Sequence, residues 1–439
     1  MSGGREDAPI DAGDLQDRRL LFLQGPLSPL FKLIGRDFAS RGGEVHRINF
    51  CAGDWFHWHG PECTSYRGTP EKWPDFLAEF VDRNRITDLV LHGDQRLYHR
   101  LAIEKAIDRG VFIAVTELGA LRPGWMTLEQ NGLSTLSHFP VAPDAIKEIA
   151  SAAGEIDLSP RYPGSFWLQT GPDVFYNLSN VLLKFLYPNY QQHTLYPPVL
   201  EYARGAMRLV SQARRDRVAD MLLKQIQTGG RPYFVLPLQL EGDFQLRRHS
   251  PFGSFSEVLE LVIASFAKAA PQDASLVIKS HPLDVGFENW PTVTEETAAG
   301  HGVAGRVHFL DGGGLGPVLE KAAGMVTVNS TAGVEALQMG VPVKTLVPAH
   351  FDIEGLTSRS PLGSFWQAPE PPDAQLLDNY IRALAASTQV RGSIHNREGV
   401  LVAARNMADR IASRELNSYG GYVDPPPRLA RARELGVPL

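Results

Sequence analysis

Short apolar runs alternate with helical patterns over residues 20–139 of this chain. Four of the runs, at residues 19–24, 45–50, 88–94 and 111–117, have the length of buried strands, and each is closed by Gly, Asp, Asn or Glu. Because strands that alternate with helices are typical of a parallel sheet with helices on its faces, this part of the chain predicts a Rossmann-like domain. The polar strand ends indicate a ligand site at one sheet edge.

The pattern changes in the middle of the chain. Residues 166–204 are typical of aromatic-rich helices interrupted by prolines, and residues 204–227 predict a basic helix. The stretch 228–232, Thr-Gly-Gly-Arg-Pro, predicts a hinge. We therefore expect one domain over residues 1–227, including the aromatic helical segment, and a second over residues 228–439.

A second α/β series follows the hinge. Strands are predicted at 233–238, 275–279, 307–310 and 324–328, and a helix at 256–269. Two Rossmann-like parallel-sheet domains that face each other across a cleft form the arrangement called GT-B, which is the α/β fold that we predict.

Composition narrows the class of protein. The chain has 439 residues, of which 43% are hydrophobic and 21% charged, as in a globular protein. A net charge of −6 gives no general attraction to nucleic acid, so no nucleic-acid partner is expected. The polar residues 1–19 do not match a secretory signal, and no apolar stretch is long enough to cross a bilayer, which predicts a cytoplasmic protein.

A His-Pro step follows the predicted strand at 275–279. Pro282 favours an extended exit from the strand, so that His281 points away from the sheet edge. Its imidazole can donate a hydrogen bond or a positive charge to a phosphate, and Lys279 is a further candidate cation. The alternative is a structural histidine with satisfied hydrogen bonds.

Hydroxyl side chains follow the strand at 324–328. Ser330 and Thr331 stand directly before a predicted helix, in the sequence Asn329-Ser-Thr-Ala-Gly333. Free N–H groups at a helix start bind phosphate, although the same residues also serve as an ordinary N-cap worth about 1 kcal/mol.

Acidic residues follow one strand in each predicted domain. Gln239 and Asp243 come after the strand at 233–238, and Glu117 and Arg122 come after the strand at 111–117. Two carboxylates on either side of a glycosidic centre can divide nucleophilic and proton-transfer work, and an arginine can bind a substrate carboxylate. A solvated loop acid and a surface ion pair are the alternatives for Asp243 and Arg122.

Metal ligands are poorly represented. His57, His59 and Cys63 lie near Asp54, but their spacing matches no known zinc pattern, and we predict no metal. The loop Gly53–Pro61 instead indicates an aromatic acceptor surface. Gly312–Gly314 lacks the lysine of a nucleoside-triphosphate loop and predicts a turn.

These motifs together resemble the bacterial capsular polysaccharide biosynthesis and export proteins, of the single-domain β-Kdo transferase type. The resemblance covers most of the chain, from Leu20–Pro26 to Trp366. The motifs that carry it are Leu-Gln-Gly-Pro at Leu23–Pro26, Glu-x-Gly-x-x-Arg-Pro at Glu117–Pro123, Gln-x-x-x-Asp at Gln239–Asp243, His-Pro at His281, and Asn-Ser-Thr-x-Gly at Asn329–Gly333.

The resemblance implies an enzyme that transfers Kdo from CMP-β-Kdo, with retention, to a phosphatidylglycerol-type lipid or to a Kdo already on it. It implies that the second domain binds the nucleotide sugar and the first the acceptor. It assigns CMP binding to His281, Ser330 and Thr331, and catalytic carboxylates to Asp243 and Glu117. The remaining candidate binding residues are Gln24, Gly25, Arg122, Gln239, Lys279, Pro282, Asn329 and Gly333. The chain departs from the family pattern at Leu118 and Ala120, on the acceptor side.

A monophosphate-activated sugar needs one phosphate clamp and no metal-binding Asp-x-Asp, so no cofactor is expected. Rival interpretations are a transferase that uses CMP-sialic acid or a uridine-diphosphate sugar, and a non-catalytic export or assembly factor. Basic residues in two regions of the chain could bind anionic lipid and so support peripheral contact with the inner membrane. The alternative is that they form an ordinary basic face exposed to solvent. These residues are Arg204, Arg208, Arg214, Arg215, Arg217, Arg428, Arg431 and Arg433.

Overall fold

A computed structural model describes residues 15–192 and 194–439 of the chain. We predicted that the polar residues 1–19 are not a secretory signal, and residues 1–14 of that segment lie outside the described residues. A seven-stranded sheet and a five-stranded sheet form the centres of two domains. Helices pack on both sheets, and a cavity lies between the domains. The predicted α/β fold of GT-B type is confirmed.

Strands and helices alternate along much of the chain, but not at the two consecutive strands of residues 112–130 or in the helical segment of residues 143–228. The strands are β1 (Arg19–Phe22), β2 (Glu44–Asn49), β3 (Cys63–Ser65), β4 (Asp88–His92), β5 (Phe112–Leu118), β6 (Trp125–Gln130), β7 (Tyr233–Pro237), β8 (Ser275–Lys279), β9 (Val307–Leu310), β10 (Gly324–Thr327), β11 (Val343–Thr345) and β12 (Gln389–Arg391). The helices are α1 (Leu30–Ser40), α2 (Ala52–His57), α3 (Trp73–Arg83), α4 (Leu97–Ile107), α5 (Pro143–Ala153), α6 (Phe166–Leu182), α7 (Pro198–Thr228), α8 (Phe244–Arg247), α9 (Phe255–Ala269), α10 (Trp290–Gly300), α11 (Leu315–Leu319), α12 (Ala332–Gln338), α13 (Leu362–Phe365), α14 (Ala374–Ser387), α15 (Arg397–Ser413) and α16 (Leu429–Glu434). Single 3-10 turns lie at Pro70–Lys72, Ser134–Leu136 and Lys184–Leu186.

The first sheet has the strand order β12-β6-β5-β4-β1-β2-β3. The strands β1 to β5 pair in parallel, as predicted, whereas β6 is antiparallel to β5. Residues 119–124, which connect β5 to β6, are too few for the crossover that a parallel pair requires. The all-parallel prediction for residues 20–139 is therefore wrong at β6.

The second sheet has the order β11-β10-β7-β8-β9, and all its pairs are parallel. Strand β7 is buried along its whole length, since helices cover both faces of the sheet. The carboxyl ends of β7, β8 and β10 lie side by side at one edge, because parallel strands end in the same direction. This edge faces the first domain.

The C-terminal part of the chain returns to the first domain. Strand β12 pairs antiparallel with β6, and α15 packs against α1. Val390 and Met407 share one apolar core with Leu20 and Ile34. Residues 389–413 thus pack with the first sheet, whereas the sequence placed all of 228–439 in the second domain. Contacts between distant residues decide which sheet each apolar helix face covers. The local periodicity of the sequence does not predict that choice.

Helix α7 packs on the second domain, although the sequence placed residues up to 227 in the first. Arg208 and Arg215 both donate to Asp311 Oδ1, at 2.6 and 3.0 Å, and Arg204 lies over the ring of Phe287. Ala219 contributes to an apolar core that contains Val235 of β7 and Val277 of β8. Several of the arginines predicted to contact lipid are therefore engaged in contacts within the protein.

An apolar core joins the two domains. Helix α5 of the first domain packs against α14, and Ile146 shares a core with Tyr380 and with Val235 of β7. Arg428, also predicted to contact lipid, is buried and donates to the carbonyls of Phe139 and Ala349. Because this interface is apolar and continuous, it holds the two sides of the cavity in a defined relation.

Candidate active site

The loop after β7 carries Gln239 and Asp243. Asp243 is the N-cap of α8, and its Oδ1 accepts the N–H of Gln245 at 2.9 Å. Burial raises the pKa of Asp243, while the Gln245 N–H, His249 and Arg122 oppose the rise. Asp243 is thus a structural cap and also a carboxylate facing open space, since its neighbouring surfaces are cavities on two sides.

The end of β8 positions His281 with a defined tautomer. Its Nδ1 accepts the N–H of Leu283 at 3.1 Å, so the proton of the neutral ring is on Nε2. Burial lowers the pKa of His281 to about 4, with Lys279 and Arg122 adding to the effect. His281 can therefore donate a hydrogen bond at neutral pH but brings no positive charge, which narrows the two options that the sequence left open.

Lys279 and Pro282, which are close to His281 in the sequence, were predicted to bind the substrate but lie away from the cavities. The Nζ of Lys279 donates to the carbonyl of Ser280 at 3.0 Å, and Asp311 and Asp216 are the carboxylates that act on its charge. Neither Lys279 nor Pro282 lines either of the two cavities that contain His281 or Asp243.

The end of β10 brings Asn329, Ser330 and Thr331 to the domain interface. Asn329 Nδ2 donates to the carbonyl of Gln245 at 2.8 Å, and Asn329 Oδ1 accepts from Gln239 Nε2 at 3.1 Å. Asn329 thereby fixes the loop that carries Asp243. Ser330 and Thr331 line the cavity between the domains.

Gly333 has a packing role in the first turn of α12. A Cβ atom at this position would lie 2.5 Å from the ring of Phe351, which is fully buried. The glycine therefore lets α12 approach Phe351 closely. The structure does not place Gly333 on the surface of either cavity.

Glu117 and Arg122 approach the same space from the first domain. Glu117 pairs with Thr127 across β5 and β6 and is half-buried. Burial raises the pKa of Glu117 to about 8, the carboxylates of Asp94 and Asp243 add to the rise, and Arg122 opposes it. Arg122 Nε donates to the carbonyl of Gly119 at 2.9 Å, which leaves its terminal nitrogens for other partners.

These side chains surround two cavities that meet at Asp243. The first, which we call the interdomain cavity, has a volume of about 230 Å³ and is lined by Glu117, Arg122, Glu129, Asp243, Ser330, Thr331 and His350, among others. The second, which we call the Tyr196 cavity, has a volume of about 270 Å³ and is lined by Tyr196, Gln239, Asp243, His281 and Phe287, among others. The sequence predicted that His281 and the Ser330 and Thr331 hydroxyls border one cavity, whereas they border two that share Asp243.

Gln24 and Gly25 lie elsewhere. The amide of Gln24 is buried and donates to Asp54 Oδ2 at 3.1 Å and to the hydroxyl of Tyr176 at 2.9 Å. Gly25 borders a small pocket that shares no lining residue with the two cavities. Asp54, considered above as a metal ligand, thus belongs to a buried hydrogen-bond network.

Several cavity residues carry no sequence signal. His350 follows β11, and its Nδ1 is hydrogen-bonded to the hydroxyl of Tyr380 at 2.8 Å, while its buried Nε2 has no partner among the described residues. Gln389 reaches the interdomain cavity through β12, where its Oε1 accepts the N–H of Ala120 at 2.9 Å. Tyr196 lies in the aromatic segment of residues 166–204 that the sequence predicted, but nothing in that pattern indicates a cavity wall.

Comparison with known proteins identifies relatives among capsule polysaccharide proteins. Residues 87–395 match the family model described as capsule polysaccharide biosynthesis protein. The capsule polysaccharide modification protein LipB of Neisseria meningitidis serogroup B is 30% identical over 385 residues, which are 86% of this chain and 91% of LipB. The capsule polysaccharide export protein KpsS of Escherichia coli is 28% identical over 86% of this chain and 96% of KpsS.

A solved structure, described as Thermosulfurimonas dismutans KpsC, beta Kdo 2,7 transferase, is also similar. The similarity covers 89% of this chain and 99% of that one, with 15% sequence identity and a TM-score of 0.42. The family match spans well over half of the chain, and LipB is matched over nearly its full length. The chain therefore belongs to the capsule polysaccharide biosynthesis protein family.

Proposed function

We propose that this protein is a glycosyltransferase of capsule assembly that transfers Kdo from CMP-β-Kdo to a phosphatidylglycerol-type lipid, with retention of configuration. The observation that carries the proposal is the interdomain cavity, where Glu117 from one domain and Asp243 from the other lie with Arg122. Carboxylates on two sides of a sugar, next to a cation, suit the transfer of an acidic sugar. Membership of a capsule biosynthesis family supports the same assignment.

The donor carries two anionic groups, a phosphate and the carboxylate of the sugar. We assign the carboxylate to Arg122, whose free guanidinium nitrogens can bind it as a bidentate pair. We assign the phosphate to the hydroxyls of Ser330 and Thr331 and to the Nε2–H of His281, on either side of Asp243. Lys279 receives no role in donor binding, because it lines neither of the two cavities.

The two carboxylates have different environments and therefore different proposed roles. Glu117, with a pKa of about 8, exchanges a proton near neutral pH and suits the removal of the acceptor's hydroxyl proton. Asp243 borders both cavities, where the donor's reacting carbon would lie between nucleotide and acceptor. We assign Asp243 to that carbon, as nucleophile or as stabiliser of its positive charge. No metal cofactor is included, because the donor has a single phosphate.

We further propose a cytoplasmic protein that contacts the inner face of the membrane and capsule assembly or export proteins. No helix in the described part of the chain is long and apolar enough to span a bilayer. An apolar surface on α6 and the turn at Lys184–Leu186 supports peripheral contact, since Trp167, Leu182 and Phe185 are each more than 70% exposed. Aromatic and aliphatic side chains with a flanking Lys184 fit an anionic lipid surface.

The proposal is tested by incubating the full-length protein with CMP-Kdo and a phosphatidylglycerol acceptor and measuring product and CMP release. Asp243→Asn and Glu117→Gln should each abolish most turnover while circular dichroism stays unchanged. Glu79→Gln, an equivalent change on the exposed surface of α3, should leave turnover intact. Turnover that survives in both cavity variants would refute the assigned site.

The rival functions give different results in the same assay. Turnover with CMP-sialic acid or a uridine-diphosphate sugar, and none with CMP-Kdo, would replace the donor. Failure of every nucleotide to raise the thermal midpoint, together with absence of turnover, would favour a non-catalytic export factor.

A further inference from the structure

The proposed function uses the lining of the Tyr196 cavity only at Asp243 and His281. The other walls come from the segment before α7 and its first turn, from the loops after β7 and β8, and from the start of α10. Tyr196 and Phe287 stack with ring centroids 3.9 Å apart and an interplanar angle of 15°. A volume of about 270 Å³ is close to the lower limit of roughly 300 Å³ for small-molecule pockets, and suits part of a nucleotide sugar rather than the whole.

The cavity presents hydrogen-bond acceptors. Gln239 is 4% exposed, its Nε2 donates to Asn329, and its Oε1 has no partner among the described residues. A buried carbonyl oxygen without a partner costs free energy unless a ligand or water donates to it. The acidic residues of the lining are Glu201, Glu241, Asp243, Asp284 and Glu288.

The charge of the two cavities orients the donor. The lining of the Tyr196 cavity contains five carboxylic acids and neither lysine nor arginine, so an anionic group would be repelled from the interior of this cavity. The interdomain cavity is lined by three carboxylic acids, Glu117, Glu129 and Asp243, but also by Arg122 and by the hydroxyls of Ser330 and Thr331. The sugar carboxylate therefore belongs with Arg122 in the interdomain cavity. The phosphate belongs at the junction of the two cavities, between the Ser330 and Thr331 hydroxyls and His281, which leaves the uncharged base for the rest of the Tyr196 cavity.

We propose that the Tyr196 cavity binds the pyrimidine ring of the donor and selects cytosine over uracil, with Gln239 Oε1 accepting a hydrogen bond from the exocyclic amino group. Cytosine carries an N4 amino group, which donates, where uracil carries a carbonyl oxygen, which only accepts. The uracil oxygen would therefore face the Gln239 Oε1 with no hydrogen between them. The face of the Tyr196 and Phe287 pair supplies an apolar wall for the ring. This inference rests on the proposed function, since it concerns the same donor.

The discrimination has a definite expected size. Leaving a buried acceptor without its donor costs roughly 1–3 kcal/mol, which corresponds to about 5- to 150-fold in affinity. CMP should therefore bind the wild-type protein at least about fivefold more tightly than UMP. Gln239→Leu removes the acceptor and should bring the ratio of the two affinities close to one.

The experiment is calorimetric titration of the full-length protein with CMP and with UMP. Tyr196→Leu should weaken both nucleotides by a similar factor, because stacking does not distinguish the two bases. Glu295→Gln, on the exposed surface of α10, should change neither affinity. The affinity ratio is measured within each protein sample, so it is insensitive to a fraction of unfolded variant.

Failure of this inference is distinguishable from failure of the proposed function. Equal binding of CMP and UMP by the wild type, or a ratio unchanged in Gln239→Leu, overturns the base site, while turnover with CMP-Kdo would still support the transferase. Binding of neither nucleotide, with no turnover, overturns both.

Discussion

Glu117, near the end of β5, and Asp243, at the start of α8, border the same cavity from two different domains. They are 126 residues apart in the sequence, and the carboxylate of Asp243 adds to the rise in the pKa of Glu117 that burial causes. When two carboxyl groups share a cavity that is partly shielded from water, their different environments separate their pKa values. One group then stays ionised, and the other carries a proton near neutral pH.

Substitution of Glu117 tests its ionisation as well as its chemistry. The pKa of Glu117 is raised from 4.5 to about 8 in the folded protein. Glu117 therefore ionises more easily in the unfolded chain, and the folded protein loses stability as the pH rises from about 4.5 to about 8. Glu117→Gln does not ionise, and its thermal midpoint relative to the wild type should rise between pH 5 and pH 9. Turnover should fall by about 10²- to 10⁴-fold.

Differential scanning calorimetry across pH measures the first effect. The exposed control Glu79→Gln should show a difference from the wild type that does not change with pH. A Glu117→Gln difference that is equally flat would mean that Glu117 ionises normally in the folded protein.

Asp243 combines capping with proposed chemistry, and two substitutions separate the roles. Asp243→Asn keeps an oxygen that accepts the Gln245 N–H, since asparagine is an equally good N-cap. It should retain stability and lose turnover. Asp243→Ala loses both, with about 1 kcal/mol less stability. Urea denaturation and product formation measure the two effects, and an active Asp243→Asn would assign the residue to capping alone.

The tautomer of His281 can be tested with two amides. Gln places its amide nitrogen near the position of Nε2, whereas Asn matches the accepting Nδ1 that holds the Leu283 N–H. His281→Gln should retain much of the affinity for CMP, and His281→Asn should lose about tenfold or more. Titration calorimetry measures both.

The pH dependence gives a second test of His281. Because burial holds the pKa of His281 at about 4, the ring is neutral from pH 6 to pH 8. The ratio of CMP affinities between the wild type and His281→Gln should stay constant over that range. A ratio that rises toward pH 6 would indicate an imidazolium that binds the phosphate by charge.

Gly333→Ala separates packing from ligand binding. The new Cβ would lie 2.5 Å from the Phe351 ring, so the helix or the ring must move, at a cost of about 1–3 kcal/mol. The thermal midpoint should fall. Gly305→Ala, where no heavy atom lies within 4 Å of the added Cβ, should leave it unchanged. A normal midpoint with lost CMP affinity would instead make Gly333 a ligand contact.

The apolar surface on α6 is tested by vesicle flotation. Replacement of Leu182 and Phe185 by serine should weaken binding to phosphatidylglycerol vesicles at least tenfold, because each side chain gains about 1.5–3 kcal/mol on full burial. Leu401→Ser removes an exposed leucine from α15 and should have no effect. Equal flotation of both variants would show that α6 does not contact the lipid.

Much of the second domain was predictable from local pattern. Strands β8 and β9 have the predicted bounds, because apolar runs bounded by polar residues give a strong signal for buried strands. The strands β3, β6 and β12 were not predicted, and β3 and β12 are only three residues long. A strand of that length has too few positions for a periodic signal, and its existence depends on the neighbour that pairs with it.

The sequence by itself determined the alternation of strands and helices, the polar residues at the strand ends, and hence the type of fold, because these depend on periodicities that a few consecutive residues contain. Only the tertiary structure decided that Glu117 and Asp243 share a cavity, that His281 borders a different one, and that Gln389 bonds to Thr127, 262 residues away. Cavities form where several distant segments pack together, and the free energy of that packing is a property of the folded chain as a whole.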